Sequence, residues 1–219
     1  MTSRQPNQSA KSGHHDVTRR SFVGRTAAGG AALLAGGLAS LFKESASAGT
    51  DFPFVEASIT QLQAAMAVGQ LSARDLVQGY LNRIRQLNPT LHAVIEVNPN
   101  AIAIAASLDN ERKAGHVRGP LHGIPLLVKD NIATLDNMQT TAGSLALYGS
   151  SVPADAPLIQ RLRAAGAIIL GKSNLGEWAN FRGAINVFPL ALGWSARGGD
   201  TKNAYDLSYT SWGSSLHRR

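Results

Sequence analysis

Apolar residues recur at helical spacing through the first part of the body of the chain. Ile59, Leu62 and Met66 follow Ser58, and Gly69 closes that pattern, which predicts a short helix. Ser72 with Asp75 reads as a helix cap with an acid at the third helical position. Leu76, Val77, Tyr80, Leu81, Ile84 and Leu87 then keep the helical period until Asn88-Pro89, where a stop is expected. The alternation around Ala93, Ile95 and Val97 predicts a strand. Pro99 opens a third helix that runs to about Lys113, with Gly115 as terminator.

The texture then changes. Leu126, Leu127 and Val128 form a short apolar run that ends in Lys129-Asp130-Asn131. Pro157, Leu158, Ile159 and Leu162 mark a helix closed by Gly166, and Ala167 to Leu170 is a second apolar run ending in Gly171-Lys172-Ser173-Asn174. Strand, helix and strand at this spacing make a βαβ unit, so the fold class is α/β, with a parallel or mixed sheet and flanking helices. Chemistry in such sheets collects at the C-terminal ends of the strands, where both Lys129 and Lys172 are expected.

Composition narrows the function classes. The 219 residues include no cysteine, which excludes disulfide scaffolds, cysteine-ligated zinc and a cysteine nucleophile. The net charge of +7 is unevenly spread: residues 1–48 carry +4 and residues 49–219 only +3. The body has no basic stripe interleaved with aromatics, so no nucleic-acid partner is expected.

Residues 1–48 read as an address and stand apart from the domain of residues 49–219. Thr18-Arg19-Arg20-Ser21-Phe22-Val23 resembles a twin-arginine export signal. A weakly apolar run from Thr26 to Phe42 follows, and Ala46-Ser47-Ala48 is a small-x-small cleavage site before Gly49. The expectation is export to the periplasm or the extracellular space, with only transient membrane contact. A disordered tail with a chance arginine pair and an uncleaved membrane anchor are the other readings of this segment.

Two residue groups carry candidate chemistry. A lysine at the end of a buried strand is partly desolvated, which lowers its pKa and favours the neutral amine, a base; pairing with Asp130 or snorkelling to the surface is the structural alternative for Lys129. Trp212-Gly213-Ser214-Ser215 presents hydroxyls on a tight turn, and a serine beside a neutral lysine is one way to activate a hydroxyl without histidine. A polar glycine-serine loop is the plain reading of the same residues. His92, His116, His122 and His217 lack metal-ligand spacing, and no metal or cofactor is expected. Gly198-Gly199 lacks the lysine-threonine ending of a phosphate loop.

Taken together, Gly123-Ile124-Pro125-Leu126-Leu127-Val128-Lys129-Asp130-Asn131, Thr140-Thr141-Ala142-Gly143-Ser144, the segment from Gly171 to Arg182, and Gly193-Trp194-Ser195-Ala196-Arg197-Gly198-Gly199 resemble the amidase signature family, in order and spacing, from about residue 56 to 215. The resemblance implies the N-terminal part of that fold, incomplete here, and hydrolysis of a carboxylic amide by a Ser–cis-Ser–Lys triad without a cofactor. Lys129 matches the family's base and Ser214 its bridging serine on a cis peptide. A small-molecule amide is the implied partner.

The family's nucleophilic serine is expected some two dozen residues beyond Ser214, a position absent from this chain. Ser211-Trp212 before Gly213, Leu216 after Ser215, and Asn203-Ala204-Tyr205 also depart from the family pattern. These departures lead to the expectation of a truncated product, inactive alone. Ser144, Ser173, Ser195 and Ser215 are the candidate stand-in nucleophiles. Asp130 is expected to cap a turn or orient Lys129, and Glu177, Trp178 and Arg182 to pack and pair around the site. The alternatives are the A subunit of a tRNA-dependent amidotransferase, which an export signal argues against, a non-catalytic exported remnant or binding protein, and a membrane-anchored structural protein.

Overall fold

The computed structural model describes residues 53–181, 193–209 and 211. The proposed signal segment, Arg182, Trp212, Ser214, Ser215 and His217 lie outside the described residues.

Helix α1 (Ile59–Ala67) starts at Ser58, whose hydroxyl accepts the Gln61 N–H at 3.3 Å while the Gln61 carboxamide oxygen accepts the Ser58 N–H at 2.8 Å. This reciprocal box uses glutamine where an acid is often found. Helix α2 (Ala73–Leu91) is capped twice. The Ser72 hydroxyl accepts the Asp75 N–H, and Asp109, from helix α3 (Ala101–Lys113), accepts the Ala73 and Arg74 N–H groups at 2.7 and 3.0 Å.

Contrary to the expected stop at Asn88-Pro89, α2 runs through Pro89 to Leu91. The proline lies in the last turn, where the missing N–H removes only one late helical bond. The end is then fixed by other means. His92 takes a left-handed conformation with its N–H on the Asn88 carbonyl, and the Asn88 side chain bonds both the N–H and the carbonyl of Val94. The helix end and the first strand are therefore one unit.

Strands β1 (Val94–Val97), β2 (Pro125–Lys129) and β3 (Ile168–Ser173) form a mixed sheet in the order β1-β3-β2. β3 is antiparallel to β1 and parallel to β2, which reaches it through helix α4 (Pro157–Ala164). Successive residues of β3 feed two cores. Ile168 and Leu170 join Leu76, Val77, Ala105 and Ile124 under α2 and α3, while Ile169 joins Val128, Met138 and Ile159. Each such fully buried aliphatic side chain is worth about 1.5–3 kcal/mol relative to exposure. A small hairpin, β4 (Trp194–Ser195) and β5 (Gly199–Asp200), completes the described elements.

The β2–β3 register shifts after Leu126: Leu126 faces Ile169, but Leu127 faces Gly171. Leu170 is the extra residue of a bulge. The chain passes so close here that a Cβ on Gly171 would sit 2.5 Å from the Glu96 carbonyl oxygen. Beyond the bulge Val128 pairs with Lys172, and Lys129 pairs with Ser173. Paired residues share a face and successive residues alternate, so the two lysines leave the sheet on opposite sides.

Candidate active site

Lys129 is the last residue of β2 and is half-buried; burial pushes its amine below the ordinary lysine pKa. Its neighbour Asp130 is fully buried and bonded at every polar group. The Asp130 N–H donates to the Ser173 carbonyl, and the Asp130 carbonyl accepts the Thr141 and Ala142 N–H groups. One carboxylate oxygen accepts the Thr141 hydroxyl and, at 2.9 Å, the Gly143 N–H; the other faces the Arg197 guanidinium at 3.3 Å. Asp130 therefore does more than cap a turn. It ties the end of β2, the central strand and the Thr140–Ser144 loop together beside Lys129.

That loop meets the β4–β5 hairpin at close quarters. Gly143 has φ +75°, and a Cβ there would lie 2.5 Å from the Ser195 Cβ. Only glycine meets both the conformation and the space. The Gly143 carbonyl accepts the Arg197 N–H at 2.9 Å. Asn174, just past β3, clamps the hairpin from below: its amide nitrogen donates to the carbonyls of His92, Gly198 and Gly199, and its oxygen accepts the Ser195 hydroxyl at 2.8 Å. The Glu177 carboxylate accepts the Ala196 N–H at 2.8 Å, so this residue holds the same hairpin through its backbone. Trp178 is 44% exposed and left-handed at φ 52°, and its N–H donates to the Ala142 carbonyl.

Lys172 is buried completely. Its ammonium donates to the Ile132 carbonyl at 2.6 Å and the Thr140 hydroxyl at 3.1 Å. Burial lowers its pKa, against the opposing pull of Asp130, Asp136 and Glu96. Lys172 thus pins the two ends of the segment that follows Lys129, from the opposite face of the sheet.

The candidate stand-in nucleophiles divide as follows. The Ser195 hydroxyl is inaccessible and committed, donating to Asn174 and accepting the Gly198 N–H. The Ser144 hydroxyl accepts the Ala146 N–H in a short turn. Ser173 shares a face and a register position with Lys129. His122 is a buried core residue bonded to the Leu108 carbonyl. Among the described residues no group of three His, Cys, Asp or Glu side chains is placed to hold a metal ion. The motifs named Arg197 and Asn174 only as members of matching strings. Their organising roles depend on partners far away in sequence, which no local pattern displays.

A mixed sheet flanked by helices, with a half-buried lysine ending β2 and the β4–β5 hairpin docked on the loop that follows it, is an amidase-type architecture. The family model described as Amidase matches residues 75–215, and the chain belongs to that family. The native peptide amidase of Stenotrophomonas maltophilia is 55% identical in sequence and superposes with a TM-score of 0.67, over 72% of this chain and 32% of that one. A probable amidase of Arabidopsis thaliana is 48% identical over 166 residues, which are 75% of this chain and 32% of the relative. The A subunit of the glutamyl-tRNA(Gln) amidotransferase of Chloroflexus aurantiacus is 43% identical over 123 residues, 56% of this chain and 25% of that protein. The chain spans about a third or less of the length of the amidases it matches.

Proposed function

We propose that this chain supplies the base and the bridging serine of an exported amidase that cleaves the carbon–nitrogen bond of a small carboxylic amide. The observation that carries this reading is the setting of Lys129: half-buried at the end of β2, with its amine pushed toward the neutral form and its neighbour Asp130 locked on every side. A neutral lysine takes a proton from Ser214, and Ser214 takes one from the nucleophilic serine. That serine, which the family resemblance puts outside these residues, attacks the carbonyl carbon. The amine or ammonia leaves with the returned proton, and water releases the acid from the acyl-enzyme. In this reading neither a cofactor nor a nucleic acid takes part.

The test is competitive acetylation of the full chain with trace acetic anhydride across pH, read peptide by peptide in a mass spectrometer. Lys129 is expected to acquire its reactivity at lower pH than the exposed Lys113. Coincident titration of the two overturns the base assignment. In a complete amidase carrying these residues, K129A is expected to lower ammonia release from a peptide amide at least about 100-fold. Turnover surviving K129A would overturn that role.

The export signal of residues 1–48 is tested by N-terminal sequencing of the protein recovered from the cell envelope and from the cytoplasm. A start at Gly49 in the envelope fraction, abolished by replacing Arg19 and Arg20 with lysine, is expected. A cytoplasmic chain beginning at Met1 or Thr2 would refute it and favour the second reading, the A subunit of an amidotransferase. That reading draws on the likeness to the Chloroflexus aurantiacus protein.

A further inference from the structure

Arg197 stands at the tip of the β4–β5 hairpin, on the segment that leads to Ser214, and its side chain is only 10% exposed. Its guanidinium faces two carboxylates from separate parts of the chain: Asp130, next to Lys129, and Glu96 of β1. The same group lies over the Tyr148 ring, 5.3 Å from its centroid, and the Arg197 N–H holds the Gly143 carbonyl. Glu96 in turn accepts the Gln139 N–H at 3.0 Å. Both carboxylates thus also bind the segment between β2 and the hairpin.

From this geometry we infer that Arg197 is a positioning residue for Lys129, clamping Asp130 to the hairpin so that the lysine-bearing strand end, the Thr140–Ser144 loop and the hairpin are held as one piece. The inference rests on Lys129 serving as the base. A planar fork with five donors satisfies two carboxylates and a ring face at once; a lysine ammonium is a single point charge on a flexible stem and does not. With the fork gone, Asp130 keeps Thr141 and Gly143 but loses its tie to the hairpin, and the strand end opens to water. Lys129 then regains solvation and holds its proton more firmly.

The experiment is the same peptide-resolved acetylation of the full chain, applied to R197M and R197K. In R197M the midpoint for Lys129 is expected to move up toward that of Lys113. Its labelling at pH 8 should fall about threefold, the loss of neutral amine that half a pH unit implies, while Lys113 labels as before. R197K keeps the cation without the fork, so its midpoint is expected to stay raised, by less than in R197M. Far-ultraviolet circular dichroism establishes that each variant is folded; if R197M is not, R197K carries the comparison. Wild-type labelling of Lys129 in the folded variants overturns the inference. A full return to the wild-type midpoint in R197K beside a shifted R197M also overturns it, because charge alone would then suffice. Coincidence of Lys129 with Lys113 in the unmodified protein is a different failure: it removes the base assignment, and this inference with it.

Discussion

Replacing Lys172 by methionine tests whether the buried ammonium is a structural tie. Methionine matches the length and fills the space with a flexible apolar chain. It leaves the Ile132 carbonyl and the Thr140 hydroxyl without their donor, now 2.6 and 3.1 Å away. An acceptor stripped of its partner costs about 1–3 kcal/mol, and both groups are only partly buried, so the lower end applies to each. Asp130, Asp136 and Glu96 also lose a nearby cation, while the cost of desolvating the ammonium is relieved. A net loss of about 2–3 kcal/mol at pH 7 is expected, measured by urea unfolding with tryptophan fluorescence.

The pH dependence gives a second, independent reading. Lys172 has a folded pKa below its ordinary 10.5, so between those two values the unfolded chain binds more protons than the native one. The wild type therefore gains stability as pH rises through that window, and K172M lacks this gain. The stability gap between the two proteins should widen from pH 7 to pH 10. Equal stability within about 0.5 kcal/mol at pH 7, or a gap that narrows with pH, would refute the account.

Three further predictions follow from the packing. G143A puts a Cβ 2.5 Å from that of Ser195 at φ +75°, and a loss of about 2–4 kcal/mol in urea unfolding is expected from strain and overpacking together. D109A should cost more than S72A, about 1–2 against under 1 kcal/mol, since Asp109 alone serves the Ala73 and Arg74 N–H groups and remains when the serine is removed. N174D should be about 1 kcal/mol worse than N174A at neutral pH, because its carboxylate would face the carbonyls of His92, Gly198 and Gly199; chemical denaturation of the pair decides it.

The helices and strands were legible where the determinants are local. Ser58 and the apolar positions Ile59, Leu62 and Met66 announce α1, and the apolar runs before Lys129 and Lys172 announce β2 and β3. Pro89 misleads because the end of α2 is decided by Asn88 reaching to Val94, a contact that periodicity does not display. The two lysines look equivalent in sequence, each closing an apolar run. The bulge at Leu170, made possible by Gly171, turns them to opposite faces of the sheet. Lys129 was picked out by its burial and by resemblance, whereas Arg197 draws its meaning from Glu96, 101 positions earlier, and from Asp130, 67 positions earlier.

Those separations bear on how the molecule is assembled in time. The central strand must find β1 across about 75 residues of chain before the sheet exists, a closure costing about 4 kcal/mol in entropy. The hairpin has nothing to dock against until β1, β2, β3 and the Thr140–Ser144 loop are in place. Contacts of such range slow folding, and the last piece to dock is also the first to detach. The clamp around Lys129 is therefore expected to close late in folding. Amide exchange at Arg197, whose backbone N–H bonds the Gly143 carbonyl across that junction, is expected to follow its opening before the sheet gives way.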